Sequence, residues 1–126
     1  MLIDYNNVEH VYLVCGYTDL RKGIDGLAAI IEHEFSMDLF DDAVFLFCGK
    51  RPDRFKALYF DGEGFILLYK RYDQGKLLWP RKENEIKQLT KKQIQWFFDG
   101  LSISPKQRVQ PAKIGYLTYV NGGIKM

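Results

Sequence analysis

The chain has 126 residues, of which 47% are hydrophobic and 27% charged, and its formal net charge is +2. This length fits one domain, and the high apolar content with little net charge excludes a disordered chain. No run approaches about 18 uninterrupted apolar residues, so the sequence predicts no membrane span.

The N-terminal part predicts a strand, a helix and a second strand. Residues 10–15 are rich in β-branched and aromatic side chains, as is typical of a strand. A helix is predicted to begin at Thr18 or Asp19, because apolar residues then recur at spacings of three and four up to Phe35. Residues 43–48 are apolar at almost every position, which predicts a central strand covered on both faces.

The clearest local pattern is a β-hairpin followed by a third strand. Residues 54–60 and 65–72 are predicted strands on either side of a turn that begins at Asp61 and has two or four residues. Both turn lengths place the same side chains on each face of the hairpin. Residues 76–79 are predicted to add a third strand, which Pro80 ends. Together these strands would form an antiparallel meander.

A second helix is predicted in the last third of the chain. Thr90 and Gln93 form a capping-box pattern at its start, and Gly100 is a typical stop. The elements together predict the α+β class: one compact domain over residues 1–103, with an antiparallel meander packed with two α-helices. Residues 104–126 are predicted to be a C-terminal extension, a loop with an edge strand.

The cysteines and histidines bear on compartment and cofactors. Cys15 and Cys48 are too few for a disulfide framework, and neither stands at metal-ligand spacing from another ligand. We expect both to be reduced core residues, and His10 and His33 to be structural. The chain start lacks the features of a signal peptide, so we expect a cytoplasmic protein with no cofactor and no metal site.

The sequence contains no catalytic motif of the serine hydrolase, P-loop, zinc protease or CxxC type. Asp53, Asp61 and Glu63 leave a metal-dependent nuclease open as an alternative, because clustered carboxylates hold magnesium. Asp61 is also a preferred turn residue, which favours a structural role. We therefore expect a protein that is not an enzyme.

Charge is divided unevenly along the chain. Residues 1–42 contain nine acids and two bases, whereas residues 43–126 contain seven acids and sixteen bases. A basic part of this kind attracts phosphate backbones, unless the acidic segment folds against it and cancels its field. Aromatic residues are interleaved with the bases around the predicted hairpin: Tyr59, Phe65, Tyr69, Tyr72 and Trp79.

We predict a DNA-binding surface on this basic, aromatic-rich ribbon. A twisted ribbon can follow a phosphate backbone, and aromatic rings can stack on unpaired bases. Arg21 and Lys22 are added because they stand at the start of the predicted first helix. The candidate nucleic-acid-binding residues are Arg21, Lys22, Lys50, Arg51, Arg54, Lys56, Lys70, Arg71, Lys76, Arg81 and Lys82.

Three blocks of the sequence resemble a known family. They are residues 18–27, 44–80 and 89–103, and the middle block contains the most specific runs, Asp61-Gly62-Glu63-Gly64-Phe65 and Trp79-Pro80. The chain resembles the accessory proteins (TnpB) that the second open reading frame encodes in the insertion sequence 66 class of bacterial transposable elements.

The resemblance implies an accessory factor for DNA transposition, encoded beside a separate transposase that contains the catalytic acids. It implies no catalytic residue in this chain. We therefore predict a non-catalytic protein that binds DNA at the element ends and works with that transposase. The alternative from another class is a protein-interaction module that docks on the transposase through its aromatic surface and uses the charge division for pairing.

Overall fold

The computed structural model describes residues 7–98, which form a five-stranded sheet with a helix on each face. The helices are α1 (Ile24–Ala29), which continues as a π-helical turn over Ile30–Glu34, and α2 (Lys91–Phe98). Among the described residues, no helix combines the length and the apolar character needed to cross a membrane. The strands are β1 (His10–Val14), β2 (Ala43–Phe47), β3 (Arg54–Phe60), β4 (Phe65–Arg71) and β5 (Ile86–Gln88).

The sheet is mixed, which corrects the predicted antiparallel meander. Its order is β4-β3-β2-β1-β5; β1 pairs in parallel with β2, and the other neighbours are antiparallel. The reason lies in the connection between β1 and β2, which is long enough to include α1 and so returns the chain to a parallel strand. The hairpin of β3 and β4 is confirmed, with Phe60 opposite Phe65 and therefore a four-residue turn.

The predicted third strand of the meander, at residues 76–79, is wrong. Only Lys76 forms an isolated bridge, while Leu77 and Trp79 are buried against one face of the sheet. The Trp79 indole N–H donates to the carbonyl oxygen of Val14 at 2.9 Å. The alternation of apolar residues therefore marked core contacts rather than a strand. The fifth strand is instead β5, whose sequence Ile-Lys-Gln is too short and too polar to show a strand pattern.

The first helix begins later than its apolar spacing predicts. α1 starts at Ile24 with Gly23 as its N-cap, and the predicted start at Thr18 or Asp19 is wrong. The Asp19 carboxylate instead accepts a hydrogen bond from the Arg21 backbone N–H at 3.0 Å, within a turn. Short polar side chains favour such local bonds over helix. The residues before Ile24 therefore form a loop, and this loop lines the candidate site.

Two apolar clusters cover the sheet, as predicted for a doubly covered β2. Alternate β2 side chains join opposite clusters, and all five β2 residues are buried. On the α1 face the buried residues are Val14, Leu27, Ile31, Leu39, Ala43, Phe45, Phe47 and Leu58. On the α2 face they are Val11, Leu13, Cys15, Val44, Leu46, Cys48, Phe55, Ala57, Leu77, Trp79, Leu89 and Ile94. Both cysteines are free and buried, which confirms their predicted core role.

The start of α2 confirms the predicted capping box. The Thr90 N–H donates to Gln93 Oε1 at 2.9 Å, and the Gln93 N–H donates to Thr90 Oγ1 at 3.1 Å. These bonds satisfy backbone donors that the first turn leaves unpaired. The predicted helix end at Gly100 and the predicted extension over residues 104–126 lie outside the described residues.

Candidate functional site

The loops that follow the two parallel strands meet at one end of the sheet. The first loop covers residues 15–23 after β1, and the second covers residues 48–53 after β2. In open sheets, ligands bind beyond the carboxyl ends of parallel strands. Here the loops and the hairpin line an open concavity of about 710 Å³, which we call the basic pocket. Its lining residues are Tyr17, Thr18, Asp19, Leu20, Arg21, Gly49, Lys50, Arg51, Arg54, Lys56 and Tyr69.

Arg81 holds the two loops together. Its guanidinium donates to the carbonyl oxygen of Gly16 at 3.2 Å and to that of Gly49 at 2.7 Å. The same group lies 4.3 Å from the centre of the Tyr17 ring. Hydrogen bonds from a charged donor are stronger than neutral ones, so this one side chain fixes the spacing of both loops.

Close packing at Gly49 also joins the loops. A Cβ atom at this position would lie 3.0 Å from the carbonyl oxygen of Thr18, closer than nine in ten real Cβ contacts. The Thr18 N–H donates to the carbonyl oxygen of Cys48 at 2.9 Å. Glycine therefore permits a direct backbone contact between the loops that a side chain would push apart.

The hairpin contributes one wall of the pocket through side chains on the α1 face. Lys56 stands opposite Tyr69 in the strand register, and its ammonium lies 5.7 Å from the centre of the Tyr69 ring. The same ammonium donates to the carbonyl oxygen of Lys22 at 3.0 Å. Arg54 donates from Nη1 to the Tyr69 hydroxyl at 3.4 Å. The Tyr69 ring is thus positioned by two cations while 53% of the residue remains exposed.

Two of the five cations that line the pocket are paired with carboxylates. Arg21 contacts Asp19 at 2.8 Å, and Arg54 contacts Asp53 at 2.7 Å. Hydrogen bonds from these guanidinium groups lower the pKa of both carboxyls. Both acids therefore stay ionised at neutral pH and hold the two arginines in place.

Lys50 and Arg51 are the cations of the pocket that remain available to a ligand. Both are exposed, and neither forms an ion pair within residues 7–98. They occupy the connection between β2 and β3. A negatively charged ligand could bind both side chains without breaking an ion pair.

The opposite end of the sheet is acidic and aromatic. Phe40 is 60% exposed, and its ring centre lies 4.8 Å from that of Phe60 and 5.8 Å from that of Phe65. No base occurs between Lys22 and Lys50 in the sequence. We call this surface the acidic end. It consists of the three rings and the exposed carboxylates of Asp38, Asp41, Asp42, Asp61 and Glu63.

Comparison with known proteins identifies the family of this chain. The family described as "IS66 Orf2 like protein" (TnpB) matches residues 9–108. The chain belongs to the IS66 Orf2-like family. Membership confirms the resemblance seen in the sequence, and it implies an accessory role in transposition for a protein associated with an insertion sequence.

Relatives of this IS66 Orf2-like chain occur in Sinorhizobium fredii (strain NBRC 101917 / NGR234). The chain is 29% identical to uncharacterized protein y4hO over 116 residues, which are 91% of this chain and 100% of y4hO. It is 28% identical to uncharacterized protein y4jC over 99 residues, which are 76% of this chain and 85% of y4jC. No solved structure matches the chain.

The structure gathers five of the eleven predicted nucleic-acid-binding residues at the pocket and separates the rest. Arg71 stands opposite Arg54 at the same end of the hairpin, whereas Lys70 lies on the other face, with its ammonium 5.0 Å from the Tyr72 ring centre. Lys22, Lys76 and Lys82 are exposed outside the pocket, and Arg81 is the loop-binding group described above. The five that line it are Arg21, Lys50, Arg51, Arg54 and Lys56.

The aromatic residues that line the pocket differ from those that the sequence analysis noted around the hairpin. Of the five rings noted around the hairpin, Tyr69 lines the pocket, while Tyr72 and Trp79 pack against the core. Tyr17 was missed, and of the loop over residues 15–23 only Arg21 and Lys22 had been predicted as site residues. A strand-helix-strand pattern was present in the sequence, and the tendency of ligands to bind after parallel strands would have pointed to this loop.

The acids named for a nuclease do not come together. Asp53 precedes β3, whereas Asp61 and Glu63 lie in the turn after it, at the other end of the strand. Asp61 Oδ1 accepts hydrogen bonds from the backbone N–H groups of Glu63 and Gly64, both at 2.9 Å. Within residues 7–98, no three His, Cys, Asp or Glu side chains converge as ligands of one metal ion.

Proposed function

We propose that the chain is a non-catalytic accessory factor in transposition that binds the DNA of its element through the basic pocket. The observation that supports this most directly is the pair Lys50 and Arg51, exposed and unpaired at a cavity lined by three further cations. Phosphate groups are the ligands that such a cluster attracts most strongly, because binding also releases counterions from the DNA.

The loops make this pocket suited to a polyanion rather than to a single carboxylate. Asp19 and Asp53 orient Arg21 and Arg54 along the wall, so four guanidinium and ammonium groups can face successive phosphates. Phosphate contacts of this kind position a protein on DNA without reading its sequence. We therefore expect affinity for DNA in general, to which any preference for the element ends would be added by contacts with bases.

Charge reversal inside and outside the pocket tests the proposal. The test variant is Lys50→Glu with Arg51→Glu, and the matched control is Lys76→Glu with Lys82→Glu, which makes the same charge change at exposed bases outside the pocket. Fluorescence anisotropy with labelled element-end DNA, scrambled duplex and single strand is recorded at several salt concentrations.

We expect the pocket variant to lose about tenfold or more in affinity at low salt and to reduce the slope of log K against log salt by about 2, one for each lost phosphate contact. The control should lose much less, through its net charge alone. Equal losses in both variants, or no salt-sensitive binding by the unmodified protein, would contradict the proposal.

A second candidate function is docking of a basic segment of a partner in the transposition machinery on the acidic end. The observation that favours it is Phe40, a large ring left 60% exposed among five carboxylates. Exposed aromatic side chains are frequent anchors of protein interfaces, and the surrounding acids would select a partner rich in Lys and Arg.

Calorimetric titration with the transposase of the same element tests this docking. Phe40→Ala should weaken the complex at least tenfold, since anchors of this type usually contribute most of the affinity. Lys50→Glu with Arg51→Glu should leave the complex unchanged. If Phe40→Ala leaves the affinity unchanged and the Lys50 and Arg51 substitutions lower it, the transposase binds at the other end of the molecule.

A further inference from the structure

We infer that the basic pocket takes an unpaired stretch of DNA, with phosphates against Lys50 and Arg51 and a base stacked on the Tyr69 ring. This inference rests on the proposed function, because it names the form of DNA that the same pocket accepts. It separates two modes of DNA binding, since a duplex and a single strand need surfaces of different shape.

The shape of the pocket is the first reason. A duplex presents its bases only as edges inside grooves, and proteins reach them with a protruding helix or ribbon. The site here is a concavity between two loops and a hairpin face, with a volume of about 710 Å³. That volume falls in the range of about 300–1,000 Å³ in which proteins enclose small organic groups. A base turned out of a strand fits such a cavity, whereas a stacked base pair does not enter it.

The exposed rings are the second reason. Among the side chains of residues 7–95, only three large apolar ones are exposed, and two of them, Tyr17 and Tyr69, line this one pocket. Tyr17 is 52% exposed and Tyr69 is 53% exposed. Rings that are exposed beside cations are the arrangement by which proteins bind single strands, since bases stack on the rings while the cations bind the backbone.

Both rings are held in place before any ligand arrives. The Arg81 guanidinium lies 4.3 Å from the centre of the Tyr17 ring. Tyr69 accepts a hydrogen bond from Arg54 and has the Lys56 ammonium 5.7 Å from its centre. A ring fixed in this way loses little conformational freedom when a base stacks on it, which favours binding.

The test compares three labelled DNAs of one sequence. They are a single strand of about 12 nucleotides, within the range of known single-strand sites, the blunt duplex, and the duplex with a single-stranded tail. A nucleoside monophosphate is added as competitor, because it offers the same phosphate and base without a strand. The variants are Tyr69→Ala, Tyr69→Phe, Tyr17→Ala and, as a matched loss of an exposed ring outside the pocket, Phe40→Ala.

We expect the single strand and the tailed duplex to bind at least tenfold more tightly than the blunt duplex. Tyr69→Ala should weaken single-strand binding about tenfold and leave blunt-duplex binding unchanged, because one stacked base is lost. Tyr69→Phe keeps the ring and should stay within about twofold of the unmodified protein, as should Phe40→Ala. Melting temperatures check that the variants fold, and Tyr17→Ala repeats the test at the second ring if Tyr69→Ala is unstable.

The outcomes separate the inference from the proposed function. Equal affinity for the blunt duplex and the single strand, or strand binding that neither ring variant weakens, overturns the inference and leaves DNA binding by the pocket intact. Effective competition by the monophosphate at micromolar concentration also overturns it, since the pocket would then be a nucleotide site. Absence of salt-sensitive binding to all three DNAs overturns both.

Discussion

The two ends of the sheet differ in charge although the same strands connect them. Five cations line the pocket at the carboxyl ends of β1 and β2, while five exposed carboxylates surround Phe40 at the other end. The division in space is not the division along the chain. Arg21 comes from the acidic N-terminal part and stands at the basic end, whereas Asp61 and Glu63 come from the basic part and stand at the acidic end.

Topology produces this arrangement, because loops that follow parallel strands gather on one side and the hairpin turn falls on the other. β3 has seven residues, so the two ends are separated by roughly 20 Å along the strand direction. That distance exceeds the Debye length of about 8 Å at physiological salt. The acids at the far end therefore do not neutralise the pocket, and each end can be altered with little effect on the other.

The largest effect is expected from Arg81→Ala, which should disrupt the basic end selectively. The variant loses the bonds to the carbonyl oxygens of Gly16 and Gly49, so we expect a loss of about 2–3 kcal/mol in the free energy of unfolding, measured by urea denaturation. Arg81→Lys should recover only part of this, since an ammonium lacks the planar fork. A variant that binds DNA poorly at unchanged stability would instead make Arg81 a direct phosphate contact.

Tyr72→Phe tests the buried side of the basic end and should increase stability by about 1 kcal/mol. The Tyr72 hydroxyl is buried and has no hydrogen-bond partner among residues 7–95, so removing it relieves a desolvation cost.

The same burial raises the pKa of Tyr72. The unfolded chain, with an ordinary pKa of about 10, therefore ionises first. Stability attributable to this group is present below pH 10 and is lost as the pH rises above it. The advantage of Tyr72→Phe should accordingly grow in denaturation curves between pH 9 and pH 11, and a constant advantage would contradict burial of the neutral hydroxyl.

Asp53→Asn should have a smaller effect, which is present at neutral pH and disappears in acid. The hydrogen bond from Arg54 lowers the pKa of Asp53, so its stabilising contribution is present above the unfolded pKa of about 3.9 and is lost as the pH falls through the folded value. The pair is partly exposed, so the loss at pH 7 should be under about 1 kcal/mol. Denaturation of both proteins at pH 7 and pH 2 should show the difference disappearing in acid.

The smallest effect is expected from Asp41→Lys with Glu63→Lys, which replaces two carboxylates of the acidic end with cations. Because these positions lie more than a Debye length from the pocket, DNA affinity at physiological salt should change by less than about twofold. At low salt it should rise, as screening weakens. A large gain at physiological salt would mean that DNA extends across both ends.

Features set by neighbouring residues were predictable from the sequence. The hairpin and its two faces follow from the turn at Asp61, although the turn length stayed open between two and four residues. The capping box follows from Thr90 and Gln93, and the double coverage of β2 from its unbroken apolar run. Each of these features depends on residues that are close to one another along the chain. The family assignment rested on the same continuous blocks and was confirmed.

Features set by contacts between distant segments were not predictable in the same way. The parallel pairing of β1 with β2 and the place of β5 depend on which strand edges meet, and Trp79 entered the core instead of a strand. The site shows the same limit: clustering along the chain predicted one basic surface that included Lys76 and Lys82, but the structure places both of these outside the pocket. Tyr17 reaches the pocket because it lies in the connection between the parallel strands β1 and β2.

The separation of charge between the two ends also bears on how the molecule approaches a polyanion. Opposite charges about 20 Å apart form a permanent electric moment directed along the strands. The field of a nucleic acid exerts a torque on that moment and turns the basic end inward before contact. Encounters are thereby oriented as well as accelerated, so the association rate should fall steeply with added salt.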